Sequence, residues 1–173
     1  MLKLLALLLV FSIYISPASA EFNTVTCNIN EVIVETKDKE DCKKIGGEAL
    51  KNYMFVINFD NGTYKDGKLL LNGNGTSNVI YFTDRPDRES GHMSVKKFKS
   101  IWTKGINSFS KDPPNSTLSV IIDGKDSNSV MVLSNPVVKG NSIIFDTSLT
   151  DGRPPESFNT GGLFIDPLEV GFR

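Results

Sequence analysis

Most of the chain after residue 50 is a succession of short apolar runs separated by residues that favour turns. From Tyr53 to Phe59 every second residue is aromatic or aliphatic, which is the period-two pattern of a half-buried strand. Runs of similar composition, each predicting a strand, follow at residues 69–71, 79–82, 117–122, 129–133, 142–146 and 163–165.

Turn signals separate these runs. Glycine paired with Asn or Asp marks tight turns, because Gly adopts positive φ without steric cost. Such pairs or clusters occur at residues 61–62, 66–67, 72–75, 123–124, 126–128 and 139–141, and residues 112–115, Asp-Pro-Pro-Asn, form a rigid extended turn. About seven or eight short strands at this spacing predict a mainly β fold, an antiparallel β-sandwich or a partly open barrel in one domain.

A single amphipathic helix is predicted at residues 95–104. Ser94 can cap its start, Gly105 can end it, and Val95, Phe98 and Trp102 fall on one face. Lysines occupy the other face: Lys96, Lys97 and Lys104. They form either a solvated surface or a basic, anion-binding face.

The first twenty residues follow a different pattern, that of a secretory signal. Lys3 precedes an almost unbroken apolar run at residues 4–15, and residues 18–20, Ala-Ser-Ala, have the small side chains that signal peptidase requires. The run is shorter than the roughly 20 residues of a membrane-spanning helix. We expect cleavage after Ala20, a secreted or periplasmic location and no membrane span in the mature chain, with an uncleaved N-terminal anchor as the alternative.

Charge and composition restrict the classes of partner. The formal net charge is −1, and loss of Lys3 with the leader makes it more negative by one. This balance does not favour nucleic acid or an anionic membrane as the main partner. One histidine and two cysteines are too few for a typical zinc site, so no metal ligands are assigned.

Cys27 and Cys42 lie close together in the mature chain and pair most simply with each other in an oxidising compartment. Two buried free thiols are the alternative. Residues 32–36 predict a strand tied back by this disulfide, and Gly46-Gly47 a break after it. We therefore divide the mature chain into a disulfide-closed segment, residues 21–47, and a β-rich domain, residues 48–173, that form one globular unit.

The densest polar cluster follows the strand at residues 79–82. Its candidate site residues are Asp84, Arg85, Asp87, Arg88 and His92, with Glu89 a further carboxylate. The cluster provides either a carboxylate acid or base beside an anion clamp, or a turn in which Arg and Asp side chains form salt bridges and satisfy backbone groups. A triad built on Ser90 and His92 is not supported, because no nucleophile-elbow motif is present. No catalytic residue is assigned.

Two further chemistries depend on context. Asn and Asp in the turns leave a calcium ion bound between loops as an alternative to no cofactor, although no EF-hand pattern occurs. Three Asn-x-Ser/Thr patterns, at Asn61, Asn74 and Asn115, are glycosylation sites only if the source is eukaryotic.

Several segments resemble a family of uncharacterised exported proteins, mainly bacterial. The resemblance covers roughly residues 53–167 and rests on residues 81–86, Tyr-Phe-Thr-Asp-Arg-Pro, with Gly91-His92, on residues 112–115, Asp-Pro-Pro-Asn, and on residues 163–166, Leu-Phe-Ile-Asp. It implies secretion and a common fold, and it carries no catalytic residue to this chain.

The leading functional expectation is an exported, non-enzymatic β-domain that binds a protein or carbohydrate partner or supports an envelope or extracellular structure. A carboxylate-dependent, hydrolase-like enzyme centred on residues 84–92 is the first alternative. A secreted factor that acts on another cell is the second. Convergence of Asp84, Asp87 and His92 on a cleft would favour the enzyme.

Overall fold

The computed structural model describes residues 24–73, 78–105 and 107–171. These residues are mainly antiparallel β-structure, which confirms the predicted fold class of a sandwich or partly open barrel. The strands are β1 (Val25–Ile29), β2 (Val32–Thr36), β3 (Glu48–Ala49), β4 (Lys51–Lys65), β5 (Lys68–Asn72), β6 (Val79–Thr83), β7 (Ser90–Met93), β8 (Asn115–Ile122), β9 (Lys125–Lys139), β10 (Ser142–Asp151) and β11 (Ser157–Val170), and the helices are α1 (Lys39–Lys44) and α2 (Val95–Ile101).

Six strands pair in a closed circuit. In order these are β4, β5, β10, β9, β8 and β11, and β11 returns to pair with β4 over nearly the full length of both strands. The other edge of β4 is shared, because its first half pairs with β6 and its last residues pair with β5. The β6–β7 ribbon therefore leaves the circuit at β4 and makes the barrel partly open.

Helix α2 packs into the barrel interior. Phe98 is fully buried and lies 5.1 Å, ring centre to ring centre, from Phe55 of β4. Trp102, directly after the helix, lies 5.6 Å from Phe145 of β10. Because these contacts reach strands on two sides of the circuit, the helix fills the interior that the inward-facing strand residues leave open.

The helix begins where the sequence predicts and ends earlier. Ser94 Oγ accepts a hydrogen bond from the backbone N–H of Lys97 at 3.1 Å, which confirms the cap. The helix ends at Ile101 rather than at Lys104. Gly105 has a φ of +87°, so it ends the turn that follows the helix and not the helix itself.

A small N-terminal unit precedes the barrel. Its sheet has the order β2–β1–β3, and the predicted disulfide between Cys27 and Cys42 joins β1 to α1. Gly47 lies against this bond, since a Cβ there would overlap the Cys27 sulfur. The sheet of this unit includes β3, so the unit extends beyond residue 47, the predicted end of the disulfide-closed segment. The expected leader, residues 1–20, lies outside the described residues.

Three local predictions are wrong. The Asn61-Gly62 pair is not a turn: β4 continues through it, and Gly62 is needed because a Cβ would lie 2.6 Å from the Leu70 carbonyl oxygen. Residues 126–128 belong to β9. The prediction of one helix missed α1, which Asp38 caps by accepting from the Asp41 N–H at 2.9 Å. Among the described residues, no helix has the length and apolar character needed to cross a bilayer.

Candidate functional site

The predicted polar cluster forms the loop of the β6–β7 hairpin. Backbone bonds close this loop: the Thr83 N–H donates to the Glu89 carbonyl at 2.9 Å, and the Glu89 N–H donates to Thr83 Oγ1 at 2.8 Å. Asp84 Oδ1 accepts from the backbone N–H of Arg85 at 2.7 Å. Two side chains of the loop, Thr83 and Asp84, thus accept hydrogen bonds from its own backbone.

Two carboxylates of the loop pair with lysines from other elements. Asp87 forms an ion pair with Lys39 of α1, and Glu89 forms one with Lys51 of β4. Tyr53 also donates its hydroxyl to Glu89 at 2.8 Å. The hydrogen bond from Lys51, and after it the one from Tyr53, lowers the pKa of the Glu89 carboxyl. Burial, and after it the hydrogen bond to Glu89, raises the pKa of the Tyr53 hydroxyl.

The expected arginine–aspartate pairs are not formed within the described residues, since Asp87 pairs with a lysine and Asp84 with a backbone amide. Arg85, Arg88 and His92 are exposed. Residues 84–92 are not among the lining residues of the four clefts at other places on the described surface. The loop contacts the N-terminal unit through the ion pair between Asp87 and Lys39.

The other predicted positions are separate from this loop. Asn61 is exposed on β4 and accepts from the Asn72 amide at 2.7 Å, and Asn115 is exposed at the start of β8. Asn74 lies outside the described residues. Within the described part of the chain, no group of three His, Cys, Asp or Glu side chains has the arrangement of a metal site.

A surface that the sequence analysis did not single out lies on the outside of the barrel. One row of cross-strand neighbours runs over β6, β4, β11, β8 and β9, and its side chains point away from the interior. With two residues of the adjacent row, this outward-facing set forms the outer stripe: Ile80, Val56, Phe164, Thr117 and Val130, together with Phe82 and Met54.

Apart from Thr117, the outer stripe is apolar where an antiparallel sheet normally presents polar residues to solvent. Its residues carry no charge, and Phe164, near its middle, has 50% of its surface exposed. The Phe164 ring lies beside Gly162 and Val56: a Cβ at Gly162 would be 3.3 Å from Phe164 Cε2. Because Gly162 has no side chain, the ring can lie close to the sheet surface.

A row of uncharged polar residues runs parallel to the outer stripe, two residues further along each strand. We call it the amide row, and it consists of Asn78, Asn58, Ser119 and Asn128, with Gly162 between the second and third. Asn58 and Asn128 are exposed, and within the described residues their side-chain amides take part in no hydrogen bond. These amides remain available to a ligand.

A cleft of about 440 Å³ follows the opposite side of the outer stripe, a volume typical of small-ligand sites. Phe82, Met54, Thr117, Phe164 and Asp166 are among its lining residues. Three further clefts lie elsewhere: one of about 250 Å³ beside Trp102, one of about 340 Å³ at residues 112–115, and one of about 720 Å³ between the N-terminal unit and the barrel.

Sequence reasoning missed the outer stripe because its members are distant in the chain. Residues 54–57 of β4 and 79–82 of β6 are largely apolar on both faces of their strands. Such runs are a local sign that the outward face is apolar as well as the inward one. Only the register, which sets Val56 beside both Ile80 and Phe164, shows that the outward residues are continuous.

No known protein family, curated protein or solved structure matches this chain. The resemblance to exported bacterial proteins therefore remains an expectation. The class that the fold defines is a partly open antiparallel β-barrel that carries a disulfide-closed N-terminal unit.

Proposed function

We propose that this chain is exported and acts outside the cytoplasm as a non-catalytic binding domain, with the outer stripe as its recognition surface. Two features support export: the leader-like first twenty residues, and a disulfide whose two cysteines are completely buried. A disulfide of this kind is compatible with an oxidising compartment.

The observation that carries the binding proposal is the exposure of Phe164 within a continuous apolar surface. Scattered exposed apolar residues need no explanation, but contiguous ones mark sites of interaction. The stripe also lacks charged residues and includes two Phe and one Met, residue types that are enriched in binding surfaces. Recognition rather than catalysis fits a surface that has no acid or base and whose one hydroxyl belongs to Thr117.

Export is tested by expressing the full chain in a secreting cell and determining the N-terminus and thiol state of the product. We expect a chain that begins at Glu21, outside the cytoplasm, with no free thiol. An unprocessed cytosolic chain with both cysteines reduced would contradict the proposal.

Binding is tested by incubating the labelled, secreted protein with extracellular material of its source. The variant Phe164→Ser should reduce the bound fraction, because it removes the most exposed ring of the outer stripe. The matched control is Val137→Ser: Val137 is 45% exposed on β9, about 23 Å along the strand from Val130. Equal retention of both variants and the wild type would refute the assignment of this surface.

A further inference from the structure

We infer that the ligand of the outer stripe is a neutral, linear oligosaccharide or polysaccharide chain that lies across the strands. This inference rests on the proposed function and specifies the ligand class of the same surface. Three properties of the surface lead to it: its shape, its pairing of apolar with neutral polar groups, and its charge.

Shape separates a thin ligand from a protein partner. The row from Ile80 to Val130 crosses five strands and is therefore ~19 Å long and ~7 Å wide, and Phe82 and Met54 widen it to ~14 Å over two of the strands. The resulting apolar area of roughly 200 Å² is well below the ~800 Å² per partner of a stable protein interface. A long, narrow apolar stripe fits a linear polymer, whose successive sugar residues repeat at a length comparable with the strand spacing.

The second property is the arrangement of two kinds of contact side by side. A sugar ring has an apolar face of C–H groups. The hydrogens of these groups carry a partial positive charge and are attracted to the negative face of an aromatic ring. Phe164, close to the sheet over Gly162, supplies such a ring. The hydroxyls at the rim of the same sugar need donors and acceptors, and each amide offers both.

The amide row lies in the right place for those hydroxyls. Asn58 is two residues from Val56 on β4, and Asn128 is two residues from Val130 on β9, so each amide is ~7 Å from the stripe along its strand. A protein partner that buried those two amides would have to offer each of them a matching group. A sugar chain with hydroxyls along its edge offers such groups at both positions.

Charge selects a neutral chain over an anionic one. No residue of the outer stripe or the amide row is Lys or Arg, the side chains that bind carboxylates and sulfates. The carboxylate that lines the adjoining cleft belongs to Asp166, where it accepts from the Asn115 amide at 3.1 Å. The negative charge of Asp166 beside the outer stripe disfavours an anionic ligand.

The experiment is calorimetric titration of the protein recovered from cells that secrete the full chain. The neutral probes are cellohexaose, xylohexaose and mannohexaose, and the anionic probe is hexagalacturonic acid. We expect at least one neutral hexasaccharide to bind and the anionic one to bind more weakly. Phe164→Ala should weaken binding about tenfold or more, as should the double variant Asn58→Ala with Asn128→Ala, whereas Val137→Ala should not.

Melting temperatures equal to that of the wild type establish that the variants are folded. Absence of binding by all three neutral probes, tighter binding of the anionic probe, or equal affinity of Phe164→Ala and wild type overturns the inference. If retention on extracellular material still requires Phe164, the proposed function survives that result and only the ligand class is wrong. If retention does not require Phe164, both proposals fail.

Discussion

Truncation of Phe98 tests whether α2 is an integral part of the barrel core. Phe98 is completely buried and makes edge-to-face contacts with Phe55, at 5.1 Å, and Trp102, at 5.8 Å. Removing a buried phenyl ring in this setting costs ~3–5 kcal/mol, because the lost apolar contacts and the remaining cavity add together. The cost is a large part of the ~5–15 kcal/mol that holds a domain of this kind together.

For a chain of this size each kcal/mol lowers the melting temperature by ~2–4 °C, so Phe98→Ala should melt ~6–20 °C below the wild type. Urea denaturation followed by fluorescence measures the same loss, because Trp102 is the chain's single tryptophan and is buried beside the helix. The control is Lys99→Ala, an exposed neighbour on the same helix, which should change the free energy of unfolding by less than ~0.5 kcal/mol. A loss below ~1 kcal/mol in Phe98→Ala would refute the placement of the helix in the core.

Two further predictions concern the N-terminal unit and the hairpin loop. Replacing both Cys27 and Cys42 by Ala should lower the free energy of unfolding by about 3 kcal/mol, because the disulfide closes a loop with a sequence separation of 15. Denaturation of the variant, and of the wild type with and without reductant, measures this loss. An unchanged denaturation midpoint would contradict the prediction. The lowered pKa of Glu89 stabilises the fold above the ordinary carboxyl pKa of ~4.3, and this contribution is lost as the pH falls through the folded-state pKa. Glu89→Gln should therefore be less stable than wild type by up to ~1 kcal/mol at pH 7, and the difference should shrink as the pH falls below the ordinary carboxyl pKa. A difference independent of pH would exclude the ion pair with Lys51 as its source.

The features predicted correctly from sequence are those that local chemistry decides. The Ser94 cap depends on one hydroxyl and one amide three residues away, and the strand predicted at residues 79–82, observed at Val79–Thr83, depends on a short β-branched and aromatic run. The disulfide between Cys27 and Cys42 followed from having two cysteines close in sequence. None of these requires knowledge of which strands become neighbours.

The errors arise where a distant residue decides the outcome. Asn61-Gly62 has the composition of a turn, yet Gly62 serves the close approach of the Leu70 backbone and the Phe158 ring. In the salt-bridged interpretation the loop pairs its aspartates with arginines, but Asp87 pairs instead with Lys39 of α1, 48 residues away in the sequence. A sequence gives the residue types in such contacts and not the partners.

The same reason explains why the outer stripe could not be predicted. Phe164 belongs to the run at residues 163–165, where it is simply the residue between two inward-facing ones, Leu163 and Ile165. Its importance comes from the register of β11 with β4 and β8, which surrounds it with Val56 and Thr117. Surfaces built across strands become visible only with the strand order.

Nuclear magnetic resonance locates the binding surface when backbone amide shifts are followed while the isotope-labelled protein is titrated with a neutral hexasaccharide. We predict that the largest shifts fall on the outer stripe and the amide row, at Val56, Asn58, Thr117 and Phe164. Shifts concentrated in the hairpin loop at residues 84–89, or in the cleft between the N-terminal unit and the barrel, would contradict it.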